Sequence, residues 1–178
     1  MRELCYDSYS LAYFAVSQEM GSRETMDFLE KLYVEEKSFL HPMYVGEKKL
    51  LFSDTLYWIE YLIDKEKLDA EFPAVRKDFK AVGRKFVEEA VMSEYPDFDI
   101  FFMFMRLRIK YTHSQDYIRM KLRTLLSHYG YKRRSQNLVE HIRDCMVFYH
   151  IESYLRGEVL CDVRDIDIDD MITFRILW

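Results

Sequence analysis

IFFMFMRLRIKY, residues 100–111, decides how the rest of this chain is read, because two periodicities fit it. With period two, Met103, Met105, Leu107, Ile109 and Tyr111 face one way while Arg106, Arg108 and Lys110 face the other, the pattern of a half-buried strand. With period 3.6, Ile100, Met103, Phe104, Leu107 and Tyr111 align instead, and Met, Leu, Arg and Lys are good helix formers. The alternation is unbroken over nine residues and gathers all three cations on one face. A strand over 103–111 is therefore the expectation, with a helix as its rival.

Downstream, Ile118, Leu122, Leu125, Leu126 and Tyr129 form a helical stripe, with Arg119 and Arg123 outside it. Gly130 permits a sharp turn, and a second stripe follows in Leu138, Ile142, Cys145, Met146 and Tyr149. The connection is short enough for a helix-turn-helix. Beyond Gly157, Val159, Cys161 and Val163 alternate with Leu160, Asp162 and Arg164, and Ile172, Phe174 and Ile176 alternate with Thr173 and Arg175. Two strands joined by the acidic turn DIDIDD, residues 165–170, predict a terminal hairpin.

Upstream, Leu11, Ala12, Ala15 and Val16 share one helical face, and Phe28, Leu29, Leu32 and Tyr33 repeat the pattern after Gly21 and Ser22. Pro42 and Gly46 interrupt it, and MYV and KLLF within residues 41–54 suit a small hairpin, after which Ser53 or Asp54 caps the next helix. That helix, TLYWIEYLIDKEK, is apolar around most of its circumference and belongs at the centre of an N-terminal core. Another amphipathic helix is expected over 73–93. SEYPDFD, residues 93–99, ends it and separates a helical N-terminal region, 1–98, from a C-terminal region, 99–178, to which the 73–93 helix is free to contribute.

A chain of 178 residues with 49% hydrophobic and 32% charged residues, five glycines and three prolines buries a real core and leans towards helix. The fold class expected is mostly α with a small β component. Three scattered cysteines, Cys5, Cys145 and Cys161, make no disulfide framework and favour a reducing compartment, so a cytoplasmic location is expected. MRELCYDSYSLAYFAV fits neither a signal peptide nor a membrane span of ~20 apolar residues, so no membrane partner is expected. The net charge is −5, unevenly spread. Residues 1–100 hold 13 basic against 21 acidic residues, residues 104–134 nine basic against Asp116 alone, and residues 135–178 four against nine. A basic block between acidic ones is the asymmetry of a nucleic-acid footprint, or of blocks that neutralise one another in the fold.

In order, residues 78–178 give helix, strand, helix, turn, helix and hairpin. This order, the KRRSQN opening of the second helix and the final hairpin resemble a winged helix-turn-helix domain, in which MRLRIKY would pair with the hairpin to complete a stable sheet. The likeness is one of architecture and covers a little over half of the chain. It implies that the second helix offers its N-terminal residues to the major groove while nearby cations hold phosphates. Gln136, Asn137, Glu140 and His141 are then the base readers, and Arg106, Arg108, Lys110, Arg119, Lys121, Arg123, Lys132, Arg133 and Arg134 the cationic surface. The five aspartates of the hairpin (162, 165, 167, 169 and 170) oppose this reading, since carboxylates repel phosphates. They would turn the wing away from nucleic acid, meet a basic partner, or restrain the KRR segment.

Metal and catalytic signatures are absent. D-I-D-I-D begins like a calcium loop, but Asp170 stands where that loop needs glycine and Ile176 where it needs glutamate. His141 and Cys145, one helical turn apart, have ligand spacing, yet no C-x-x-C or second histidine pair completes a set, and Cys145 lies on the apolar stripe. There is no P-loop, G-x-G-x-x-G, G-x-S-x-G or H-E-x-x-H. No catalytic residue, metal or cofactor is therefore expected. The first expectation is non-catalytic nucleic-acid binding. The second is a protein-interaction or homodimer module using IFFMFM, Tyr57, Trp58 and Trp178. The third is a metal-dependent nuclease built on Asp165 and Asp167.

Overall fold

A computed structural model describes residues 4–63, 95–112 and 114–178, with Pro96 and Asp97 described by their backbone alone. The protein is mostly α-helical with one small antiparallel sheet, and it divides into two compact units, Met1–Ser93 and Glu94–Trp178. The helix expected over 73–93 lies outside the described residues. Among those described, no helix is long and apolar enough to cross a membrane.

In the first unit, α1 (Ser8–Ser17) starts where the Asp7 side chain accepts a hydrogen bond from the Ser10 amide at 2.7 Å. Gly21 caps α2 (Ser22–Glu35), and its amide donates to Glu24 at 2.9 Å. The hairpin expected within 41–54 does not form. Pro42–Tyr44 is a single 3₁₀ turn and Lys48–Ile63 is the helix α3, so Ser53 and Asp54 lie inside a helix rather than capping it. One apolar face of KKLLFSD continues into TLYWIEYLI through Leu51, Phe52, Thr55, Trp58 and Leu62, which merges the two segments. Trp58 and Leu62 pack with Tyr9 and Ala12 of α1, while Tyr57 and Ile63 remain exposed.

The second unit overturns the strand expected over 103–111. Pro96–Leu107 is the helix α4, with Pro96 in its first turn, and it continues through a π-helical turn, Arg108–Thr112. The alternation misled because Arg106 is not on a solvent face. It is 1% exposed, and its guanidinium donates to the carbonyls of Tyr149 at 2.8 Å and Trp178 at 2.7 Å. Phe98, Phe102, Met103, Met105, Leu107 and Ile109 are buried as well, so this stretch is buried on most sides and period two has no meaning there.

The strand that enters the sheet is β1, Tyr117–Lys121, cut from the start of the helix expected after Ser114. Helix α5 begins at Leu122 and runs to His128. Gly130, at φ +79°, follows it: the Gly130 amide donates to Ser127 and the Tyr131 amide to Leu126, closing the helix as a Schellman turn. Helix α6, Gln136–Phe148, opens with Ser135, whose hydroxyl accepts from the Leu138 amide. Three strands follow, β2 (Ile151–Leu155), β3 (Val159–Leu160) and β4 (Met171–Ile176). The sheet order is β1-β4-β2-β3, all antiparallel, with Tyr117 opposite Arg175, Ile151 opposite Ile176 and Leu155 opposite Val159. Thus β4 pairs with β2 rather than with the Val159 strand, which is only two residues long. Phe174 of β4 meets Phe102 of α4 in the core beneath the sheet, their ring centres 6.0 Å apart.

Candidate functional site

The connection between α5 and α6 carries the densest cationic run. The Schellman turn at Gly130 redirects the chain, and Ser135 starts the next helix five residues later, leaving Lys132, Arg133 and Arg134 at the corner. Lys132 and Arg133 are exposed. Arg134 is half-buried and points inward, donating to the carbonyls of Val163 at 3.0 Å and Ile166 at 2.6 Å. It therefore fastens the acidic loop before β4 to the basic corner. Between them lies an open depression of about 600 Å3 lined by Lys132, Arg133, Arg134 and by Asp165, Ile166, Asp167 and Ile168.

The same loop is tied at a second point. The Arg123 amide donates to the Ile168 carbonyl, and the Arg123 guanidinium grips Asp169 through two bonds of 2.6 and 2.7 Å. This hydrogen-bonded pairing holds the Asp169 carboxyl below its ordinary range. Asp162 pairs with Arg143 and Arg164. The Asp167 carboxylate accepts from the Asp169 amide and the Asp170 carboxylate from the Asp167 amide, so these groups build the turn itself. Of the KRR segment it is Arg134 that the loop holds, through the Val163 and Ile166 carbonyls, while these aspartate pairs are made with Arg123, Arg143 and Arg164.

The residues expected to bind nucleic acid are thus sorted by the fold. Arg106 is withdrawn into the core and cannot meet a phosphate. Arg123 and Arg134 are committed within the chain. Arg119 lies on the sheet face, where its guanidinium donates to Thr173 at 3.0 Å and covers the Tyr117 ring. Lys121 is exposed at the end of β1, and Arg108 and Lys110 belong to the π turn after α4 rather than to a strand. Lys132, Arg133, Gln136 and Asn137 are exposed on either side of the half-buried Arg134, at the opening of α6. Gln136 donates to Glu140 one turn along, also exposed.

His141 departs from the expectation most clearly. Its side chain is 21% exposed and turned towards α4, where its Nε2 lies 2.5 Å from Asp99 Oδ1, so it is not presented to a base edge. The Cys145 thiol donates to the same oxygen at 3.3 Å. Tyr95 flanks His141, with ring centres 5.3 Å apart. Asp99 and Cys145 are both buried. Burial, with the neighbouring Asp99 charge adding to it, pushes the Cys145 thiol far up from its ordinary value, which rules against a free thiolate nucleophile. The spacing of His141 and Cys145 was visible in the sequence. Asp99 was not, because it lies 42 residues before His141 and is brought in by the packing of α4 against α6.

Comparison of the chain with family models, with curated proteins and with solved structures finds no match.

Proposed function

We propose that the C-terminal unit is a winged-helix-like module that holds nucleic acid, most simply DNA, without catalysis, in the reducing cytoplasmic setting that three unbridged cysteines suit. The observation that carries this reading is the arrangement around the corner. A strand precedes α5, a tight turn joins α5 to α6, two longer strands follow, and the first strand closes against the last. In such an arrangement the opening turn of α6 is the element free to enter a groove. Lys132 and Arg133 would hold phosphates, while the amides of Gln136 and Asn137 would meet base edges.

The test is fluorescence anisotropy of labelled duplex and single-stranded oligonucleotides with the full chain and with K132A/R133A, leaving Arg134 in place because it anchors the loop. Duplex binding lost on the double substitution supports the reading. Absent binding, or binding indifferent to the substitution, removes it.

A second reading, a protein-interaction module, is favoured by a different observation. Val159 and Leu160 of β3 are 59% and 62% exposed, Met171 of β4 is exposed, and the outer face of α6 carries Glu140 and Asp144, which oppose a polyanion. Self-association or capture of a basic protein, with no oligonucleotide binding, would be its result.

A further inference from the structure

We propose that Asp99, His141 and Cys145 form a zinc site that clamps α4 to α6, a role that does not depend on nucleic-acid binding. The three side chains offer a carboxylate oxygen, an imidazole nitrogen and a sulfur, and these atoms all lie within 4.8 Å of one another. That donor set, hard oxygen with nitrogen and soft sulfur, is the mixture borderline Zn2+ accepts, whereas calcium and magnesium prefer oxygen alone.

The present spacing needs only a small adjustment to admit the ion. Zinc bonds of ~2.0–2.3 Å in a tetrahedron place neighbouring ligand atoms roughly 3.3–3.8 Å apart. The Asp99 oxygen and Cys145 sulfur, at 3.3 Å, already match, and they sit on two packed helices that cannot easily separate. The Asp99–His141 distance of 2.5 Å is too short, so the imidazole must swing outward by about 1 Å to reach the zinc spacing. His141 is the partly exposed member of the three, at the rim of the site, and is the one able to do so. As the metal–sulfur bond forms, the Cys145 proton leaves to solvent; the proton that His141 Nε2 shares with Asp99 is likewise lost to solvent, or the ring takes the tautomer protonated at Nδ1, so that Nε2 is free to ligate, and the hydrogen bonds now made to Asp99 Oδ1 are replaced by bonds to the metal.

Two features separate this cluster from ordinary buried polar pairs. Asp99 is a buried carboxylate whose only ion-pair partner among the described residues is a histidine, not an arginine or lysine, so its charge is not permanently answered. Both of its neighbours are metal-binding side chains at i and i+4 of one helix, the spacing that aims two ligands at one point. Three protein ligands leave the fourth position to water or to a group from outside the chain.

The purified full chain is stripped with a chelator and offered Zn2+ or, as a spectroscopic stand-in, Co2+. One tightly held ion per chain and a thiolate-to-cobalt charge-transfer band are expected. Both should vanish in C145A, whose small apolar side chain suits the stripe it occupies, and persist in C161A. Losing a group that merely supports a ligand costs about 10–100-fold in affinity, so H141A should cost more than that. Should C145A fail to fold by circular dichroism, D99N, which keeps the shape of the side chain, decides the matter in the same way. No ion above background in the wild-type chain, or an ion and a band that survive loss of Cys145 or of the Asp99 carboxylate, overturns the site.

Discussion

Arg106 and Arg133 belong to one cationic run in the sequence and finish in opposite surroundings. Arg106, in the last turn of α4, is buried and spends its guanidinium on the backbone oxygens of Tyr149 and Trp178. Arg133, beyond Gly130, stands exposed on a turn. The first is a cation used to satisfy backbone oxygens from inside the fold, and the second is a cation left for something else. A positive block is therefore two kinds of object, and only the accounting of hydrogen bonds tells them apart.

Variants can break this contrast, beginning where the effect is largest. R106L leaves the buried Tyr149 oxygen and the partly buried Trp178 oxygen without their charged donor, and hydrogen bonds to charged groups contribute ~1.5–3 kcal/mol each. A loss of about 3 kcal/mol in the stability of the C-terminal unit, read from urea denaturation, is expected, with no change in the oligonucleotide affinity of the folded protein. K132A/R133A should do the reverse. Stability stays within about 0.5 kcal/mol of wild type, while two lost phosphate contacts weaken duplex binding roughly 10–100-fold at 0.1 M salt.

Smaller effects sharpen the picture. G130A forces a β-carbon into the left-handed conformation at φ +79° and should cost about 1–2 kcal/mol. Because the corner is displaced with it, part of the duplex affinity should fall as well. D165N/D167N keeps an acceptor oxygen for the Asp169 amide but removes two negative charges from the depression beside Lys132 and Arg133. Duplex binding should tighten several-fold in the anisotropy titration. Weaker binding would mean that the acidic loop assists the corner instead of restraining it.

Much of the second unit was legible in the sequence, and the gaps have physical causes. Helix α6 was readable because Leu138, Ile142 and Cys145 keep one face and Ser135 supplies a cap. Gly130 was readable because a turn with positive φ favours glycine. The segment 100–111 was not, since a helix buried on most sides carries no amphipathic signal and chance alternation fills the gap. β1 was lost because Ile118 fits equally well as the first position of the Leu122–Leu125 stripe. β2 owes its place to its pairing with β4, beyond the acidic loop. Of the candidate site, Lys132, Arg133, Gln136 and Asn137 are exposed. The pairing of Arg123 with Asp169 and of His141 with Asp99 depends on contacts 46 and 42 residues apart. Spacing along one helix cannot reveal those.

The salt dependence of duplex binding, compared between variants, tests most directly whether the corner alone is the working part of the basic run. With two or three phosphate contacts, the log of the wild-type binding constant should fall with log salt at a slope of about −2 to −3. K132A/R133A should bring that slope to between zero and about −1, and R119A should leave it where it was. A slope unchanged by loss of the corner, or lost equally with Arg119, would contradict the account.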